Sequence, residues 1–539
     1  MLGVEFSSEE IEGVVQELER SGGGVDTQLD AGIGVRRLIE SGILARHRGG
    51  RVGFRHSLLR DTVYQSVPQT QREAIHHAAF DYFRRHDQVP EMGRLPQMAF
   101  HAARSGLKEE AGKLYLDLAG RTAARHAYLD AELLYKHALD NFSDPNVDGL
   151  IAAGQGRGLM RFRLGRHEDA LKDFMGAIER ARQADRPAAV VGLLLDEGIV
   201  LDWIGDWPRS RVVSDEAVAL AAAHEEVRTP LVHARLLMAQ ARILMRAEKV
   251  PEALEMLRVA VKAAEPLGDE GYEPYTQSLL MVGYADGILN RFDEAEAALD
   301  RCLEVYEAHG DMVGIGGVLQ NRALTSFLTN RIDRVLTDFK RIIQIAREYG
   351  FPMSESLALR DLGEVYFTIG QPEEAEPYTR RAIDMLKRTV GEGARAESCE
   401  ALLVRLKWYA GDAEAANELL RALVARQTEA EAAGRASGLL LTERLVVDGV
   451  GLGLRGAADA DFDALIAKGR ELSMQAQDIV ELMEMKALSA LRGGRRDDGI
   501  RLLEDALAEA DRNARLVSDR VRRQLERATA VPPLAAQRA

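Results

Sequence analysis

A motif of about 40 residues repeats along this chain, and that repetition limits the class of fold open to it before any single residue does. From Leu362 to Ala382 the sequence reads LGEVYFTIGQPEEAEPYTRRA, with Leu362, Gly363, Tyr366, Gly370, Ala375 and Ala382 spaced as a helix, a turn and a second helix. Gly363 allows two backbones to approach, Gly370 suits the left-handed conformation that ends a helix, and Ala375 and Ala382 fall on the packed face of the second helix. The position of Ala375 recurs as Ala131, Ala170, Ser210, Ala253, Ala295, Val335, Ala416 and Gly499, at intervals of 39 to 43 residues and a last interval of 83, two periods. Three more columns follow the same register. The close-approach column holds Ala119, Gly158, Gly198, Ala241, Gly283, Ala323, Gly363, Val404 and Ala487. The helix-ending column holds Gly165, Gly205, Asn290, Asn330, Gly370, Gly411 and Gly494, with His126 and Glu248 as departures. The second packed column holds Ala138, Ala177, Ala217, Ala260, Cys302, Ile342, Ala382, Leu423 and Ala506, which makes Cys302 a small core residue. The missing row is expected near Gly449, Gly456 and Asp461, where the pattern degenerates.

These columns resemble the tetratricopeptide repeat (TPR), stretched to about 40 residues, from Pro96 to Ala510. The resemblance implies an all-α fold: a TPR-like right-handed α-solenoid of helical hairpins, its inner groove lined by the first helix of each hairpin. The expected division is a winged-helix-like domain over 1–90, connecting helices and a first hairpin over 91–142, the solenoid over 143–513, and a helix end with a disordered tail over 514–539.

Residues before about Pro90 leave the 40-residue period. Ser7 and Glu10 form a capping box for a helix towards Leu18, and a second helix runs from about Leu29 to Ile39. Ile43–Arg48, the Gly49-Gly50 pair and Arg51–Arg55 then read as a hairpin, the only strand content expected, before a helix from His56 to Val67. Helix, helix, hairpin, helix is a winged-helix order. Ten arginines stand against four acidic residues from Arg36 to His86, within a chain of net charge -15. The arginines are spread over the wing and two helices instead of one recognition helix, so a docking face fits them better than DNA, and nucleic acid is not the expected partner.

The run LIESGILARHRGGRVGFRHSLLRDTVY from Leu38 to Tyr64, with QREAIHHAAFDYF from Gln71 to Phe83 and LGVEF from Leu2 to Phe6, resembles the winged-helix module of STAND signalling ATPases. In the kinase-linked, cyclase-linked and LuxR-type bacterial members this module follows the nucleotide-binding domain and leads into long TPR arrays. The resemblance implies a nucleotide-sensing role for His56, at the start of the helix after the wing, where an NTPase domain docks. The chain departs from that class in having no GxxxxGK[ST]: Gly112-Lys113 is followed by Leu114. It therefore corresponds to the winged-helix and TPR portion, and without the phosphate loop His56 reads first as a helix-start or domain-contact residue.

No catalytic constellation, cofactor motif or metal set stands out. His76 and His77 point about 100° apart on a helix, and His224-Glu225-Glu226 runs on to Arg228 without the second histidine of HExxH. Cys302 and Cys399 have no CxxC or Cys/His spacing, the first residues carry Glu5, Glu9 and Glu10 instead of a basic leader, and no apolar run spans a bilayer, which together suggest a cytoplasmic protein. Trp203, Trp207 and Trp408 read first as hairpin packing. Mapping the repeat onto a helical hairpin puts Arg242, Tyr284, Gln320, Phe327, Arg360, Phe367, Arg405 and Trp408 on the groove-lining face. Aromatics interleaved with arginines there suit a peptide carboxylate or another acidic ligand. Two readings follow: a non-catalytic signalling scaffold that binds a protein, peptide or small signalling ligand, or a winged-helix transcription regulator with a TPR sensor.

Overall fold

The computed structural model describes residues 5–21, 31–47, 50–85, 91–390, 395–432 and 439–530. Its chain divides into two compact units, residues 1–281 with 309–311, and residues 282–308 with 312–539. Both are built almost wholly of helices, so the fold is all-α, with TPR-like hairpins stacked as an α-solenoid within each unit.

The first unit begins with β1 (Glu5–Phe6), α1 (Ser8–Arg20), α2 (Ala31–Glu40), β2 (Leu44–Arg46), β3 (Val52–Phe54), α3 (Ser57–Ser66), α4 (Gln69–Arg85) and α5 (Glu91–Arg104). The Ser7 amide donates to Glu10 at 2.8 Å and the Glu10 amide to Ser7 at 3.1 Å, so the capping box that starts α1 is formed. The hairpin acquires a third strand: the sheet is antiparallel in the order β1-β3-β2, with Phe6 opposite Val52 and Ala45 opposite Gly53. Two residues are too few to show alternation, which is why β1 was absent from the expected strand content. Phe6, Val35, Leu44 and Val52 form the core under this sheet, and Val14, Leu18, Ala79 and Phe83 join α1 to α4. Residues 48 and 49 of the expected turn, 29 and 30 of the expected second helix and the tail from 531 lie outside the described residues.

Four hairpins follow in this unit: α6 (Lys108–Ala123) with α7 (Tyr128–Asn141), α8 (Val147–Arg163) with α9 (His167–Gln183), α10 (Pro187–Ile204) with α11 (Trp207–Ala223), and α12 (Pro230–Arg246) with α13 (Val250–Ala264). The helices α14 (Tyr272–Ile288) and α15 (Phe292–His309) contribute residues to both units. The second unit continues with α16 (Met312–Leu328) and α17 (Ile332–Tyr349), α18 (Pro352–Thr368) and α19 (Pro372–Val390), α20 (Arg395–Tyr409) and α21 (Ala413–Ala432), α22 (Leu441–Arg455) and α23 (Asp459–Glu471), α24 (Ala476–Arg492) and α25 (Arg496–Asn513), and ends in α26 (Arg515–Ala530).

The repeat columns explain these boundaries. Every residue of both packed columns is buried, from Ala131 and Ala138 to Gly499 and Ala506. At the end of each first helix the column residue takes a positive φ, and this holds for His126 and Glu248, both at 59°, as well as for the glycines and asparagines. The next amide then donates back to the carbonyl five residues earlier, as in Gln371 to Tyr366 and Lys249 to Leu244, which closes the helix in a Schellman turn. The degenerate row is the α22–α23 hairpin. Gly456 ends α22 at φ 62°, and a Cβ on Gly449 would come within 2.9 Å of Leu482 and Met485. Asp461 does not take the packed position: it is exposed, accepts from the Ala458 amide at 3.1 Å, and leaves Phe462 to fill the core.

Candidate ligand site on the first-helix face

Of the eight groove positions inferred from the repeat, Arg242 lies in the first unit and the other seven in the second. Arg242 Nε donates to Asp202 on α10 at 2.7 Å, Gln320 Nε2 donates to Asp361 on α18 at 2.5 Å, and Arg405 Nη1 donates to Glu364 on α18 at 3.1 Å. The partners stand 40 or 41 residues apart. Each bond therefore ties a first helix to the equivalent place one repeat away. Asp196 on α10 joins the same ladder, accepting from Gln155 at 2.7 Å and Arg235 at 2.5 Å. Arg360 pairs with its neighbour Asp361 at 2.7 Å. Tyr284 is exposed and Phe327 half-buried, whereas Phe367 and Trp408 are each 1% exposed and belong to the packing between helices.

Phe367 and Trp408 are covered by guanidiniums. Arg492 lies over the Trp408 ring at 4.2 Å and donates to its carbonyl at 2.6 Å. Arg405 lies 4.5 Å from the Phe367 ring centre and Arg520, from α26, 4.7 Å from it. Arg405 makes bonds of 2.8 and 2.6 Å to both oxygens of Glu481 on α24, and Arg520 Nε donates to Glu484 at 3.0 Å. Tyr409 also donates to Glu484, at 3.1 Å. Burial disfavours charge on Arg405, but Glu364 and Glu481 more than offset it and hold the guanidinium charged. Burial pushes the Glu484 carboxyl up against the pull of Arg520, and pushes Asp478, at the start of α24, up to about 6. Two guanidiniums thus face four carboxyl groups, Glu364, Asp478, Glu481 and Glu484. Beside them a cavity of about 260 Å³ is lined by Phe367, Glu373, Leu406, Tyr409, Arg520 and Gln524, among others.

Sequence reasoning missed the acidic partners and the whole contribution of α26, because neither repeats in the period. Trp203 and Trp207 depart from their expected packing role. They are 66% and 51% exposed at the α10–α11 turn, where Trp203 stacks on His167 and Arg246 covers Trp207. His56 is exposed at the N-cap of α3, and its side chain makes no capping bond. Gly112 lies buried within α6, where a Cβ would come 2.6 Å from Phe142, so Gly112-Lys113 belongs to helix packing. Cys302 and Cys399 are buried and not in a disulfide, and burial pushes the Cys399 thiol up to about 12. No group of three or more metal-ligating side chains occurs among the described residues, and no described helix is long and apolar enough to cross a membrane.

No protein-family model matches the chain. An uncharacterized protein of Rhizobium meliloti (strain 1021) is 35% identical over 106 residues, 19% of this chain, and the match spans only 10% of that relative's length. Among solved structures, a STAND protein with a TPR sensor from Pyrococcus horikoshii aligns at 12% identity and TM-score 0.45, covering 79% of this chain and 61% of that one. The apo form of RapI aligns at 11% identity and TM-score 0.47, over 70% of this chain and 99% of that one. NprR, in complex with its cognate peptide NprX, aligns at 12% identity and TM-score 0.44, over 65% and 98%.

Proposed function

We propose that this chain is a non-catalytic regulatory scaffold whose first-helix face receives a protein or peptide. The observation that carries this reading is the α18–α20 surface, where Phe367 and Tyr409 border a cavity and the surrounding charges are already tied to one another across repeats. Such cross-bracing holds a face rigid, and a preformed face loses less entropy on binding.

The N-terminal unit supports a second docking role in the same scaffold. The helix α3 has no buried residue, and Leu58, Leu59 and Val63 stand exposed on it, Leu58 at 79%. An apolar face of this kind suits a protein domain better than a phosphate backbone, which favours the scaffold over the DNA-binding alternative. In the STAND-like architecture that domain would be an NTPase, with His56 at the contact.

A photo-crosslinking residue placed at Glu373 and, separately, at Leu58 tests both faces in cells, with Glu304 on α15 as the exposed control. Discrete adducts are expected at 373 and at 58, the latter with a polypeptide that carries a P-loop. Labelling at 373 no stronger than at 304 would overturn the ligand-face reading, and failure at 58 the docking reading.

A further inference from the structure

We propose that Phe367, Tyr409, Glu481 and Glu484 form a recognition cage for an arginine side chain, which α26 fills in cis with Arg520, holding the first-helix face closed until an arginine-bearing basic segment of a partner displaces it. This rests on the reading of the α18–α20 surface as a ligand face and names both its ligand class and its regulation.

The cage has the composition that a guanidinium requires. The Arg520 Cζ lies 4.7 and 5.6 Å from the ring centres of Phe367 and Tyr409, its Nε 3.0 Å from the Glu484 carboxylate and its Nη1 3.9 Å from that of Glu481. Arg520 is 4% exposed, yet its Nη2 and Glu484 Oε1 have no hydrogen-bond partner among the described residues, so α26 seats the group without saturating the site. Arginines inferred to favour an acidic ligand point the other way here: Arg405 is committed to Glu364 and Glu481, and the cluster as a whole is rich in carboxyl groups.

The helix that supplies Arg520 has the charge of a ligand for this surface. Residues 515–530, RLVSDRVRRQLERATA, carry five arginines against two acidic residues in a chain of net charge -15. Only Val517, Ser518, Arg520 and Val521 of this helix are buried. Arg523 adds a 2.6 Å bond to the Gly370 carbonyl at the end of α18. The seat of α26 on α18 is narrow, since its apolar packing is against α24 and α25, and the cavity of about 260 Å³ beside Arg520 leaves room for a bulkier occupant. A competing segment therefore needs one arginine for the cage and further positive charge for its rim.

The test uses the full chain and a labelled synthetic peptide of residues 515–530. Wild-type chain should bind it weakly, Arg520→Ala chain at least about tenfold more tightly, and a peptide with alanine in place of Arg520 should lose that gain. Glu484→Gln combined with Arg520→Ala should abolish the discrimination between the two peptides. Peptide binding indifferent to Arg520 in the peptide, or no binding by an Arg520→Ala chain with wild-type helicity, would overturn the cage. If Arg520→Ala lowers the melting temperature, methylguanidinium should restore it in that variant and not in wild type; a melt that this probe leaves unmoved likewise overturns the proposal. Discrimination between the peptides without any adduct at Glu373 would leave the cage standing and remove the ligand-face function.

Discussion

Asp202 accepts a 2.7 Å hydrogen bond from Arg242, one repeat further along the chain, and both side chains are nearly buried. Arg246, at 3.6 Å, gives the carboxylate a second and more exposed partner. Arg242→Ala would leave Asp202 mostly uncompensated, at an expected cost of about 2 to 4 kcal/mol, whereas joint replacement by Met and Leu should cost clearly less. A double-mutant cycle in denaturant reads this directly. Additive losses would mean that the two residues do not act as a pair.

Gly363 tests the close-approach column. A Cβ there would stand 2.6 Å from Thr379 Oγ1, which is itself bonded to the Ala375 carbonyl at 2.9 Å. Gly363→Leu should therefore cost about 1 to 3 kcal/mol or more through overpacking. Because each hairpin is held mainly by its neighbours, hydrogen exchange should quicken in α16 to α21 and stay unchanged in α1 to α4. A silent substitution would show the register to be wrong.

The N-terminal helices should be acid-sensitive. His76 and His101 are buried with their Nδ1 atoms 2.8 Å apart, and Tyr64 bonds the other nitrogen of His76 at 3.1 Å. Burial lowers His76 to about 4 and His101 to about 3, helped by Arg104 nearby. Both take up protons more readily unfolded than folded, so their effect on stability is absent above about pH 6.5 and grows unfavourable as pH falls towards 4. The loss should be on the order of 2 kcal/mol for each histidine by pH 5, seen as lower protection factors in α4 and α5 at pH 5 than at pH 7. His76→Gln should flatten that dependence, and an unchanged pH profile in this variant would remove the histidines as its cause.

Much of this architecture was legible in the spacing of small residues, because a close helix contact and a left-handed helix end each demand a residue type that recurs with the hairpin. Even His126 and Glu248 were placed correctly by period alone, although neither is the glycine or asparagine that fills the rest of the column. The proposed ligand face was legible only in part. Phase brought Gln320, Arg360, Phe367 and Arg405 to first helices, but the partners that determine their chemistry, Asp361, Glu364 and Glu481, occupy positions with no charge column to mark them. Arg520 lay in a segment outside the repeat, and only the packing of α26 onto α18 and α24 brings it to the site.

Gly370 and Gly411 separate backbone strain from the docking of α26. Both end a first helix at similar positive φ, 76° and 83°, so alanine at either should cost about 1 kcal/mol from the left-handed conformation. Their surroundings differ. Nothing lies within 4 Å of a Cβ built on Gly411, while one on Gly370 would sit 3.0 Å from the Cα of Arg520 and 3.2 Å from its Cβ. A backbone atom cannot swing aside as a side-chain tip can, so Gly370→Ala must push α26 outward and weaken the bonds of Arg520 to Glu484 and of Arg523 to the Gly370 carbonyl. The expected result is equal local strain and unequal consequences: hydrogen exchange and proteolysis within 515–530 rise in Gly370→Ala and stay at the wild-type level in Gly411→Ala. The labelled 515–530 peptide should gain nothing from Gly370→Ala, because the added Cβ obstructs the Arg520 of the peptide as it does that of α26. Equal protection of α26 in the two variants would show that its seat on α18 does not depend on the contact at Gly370.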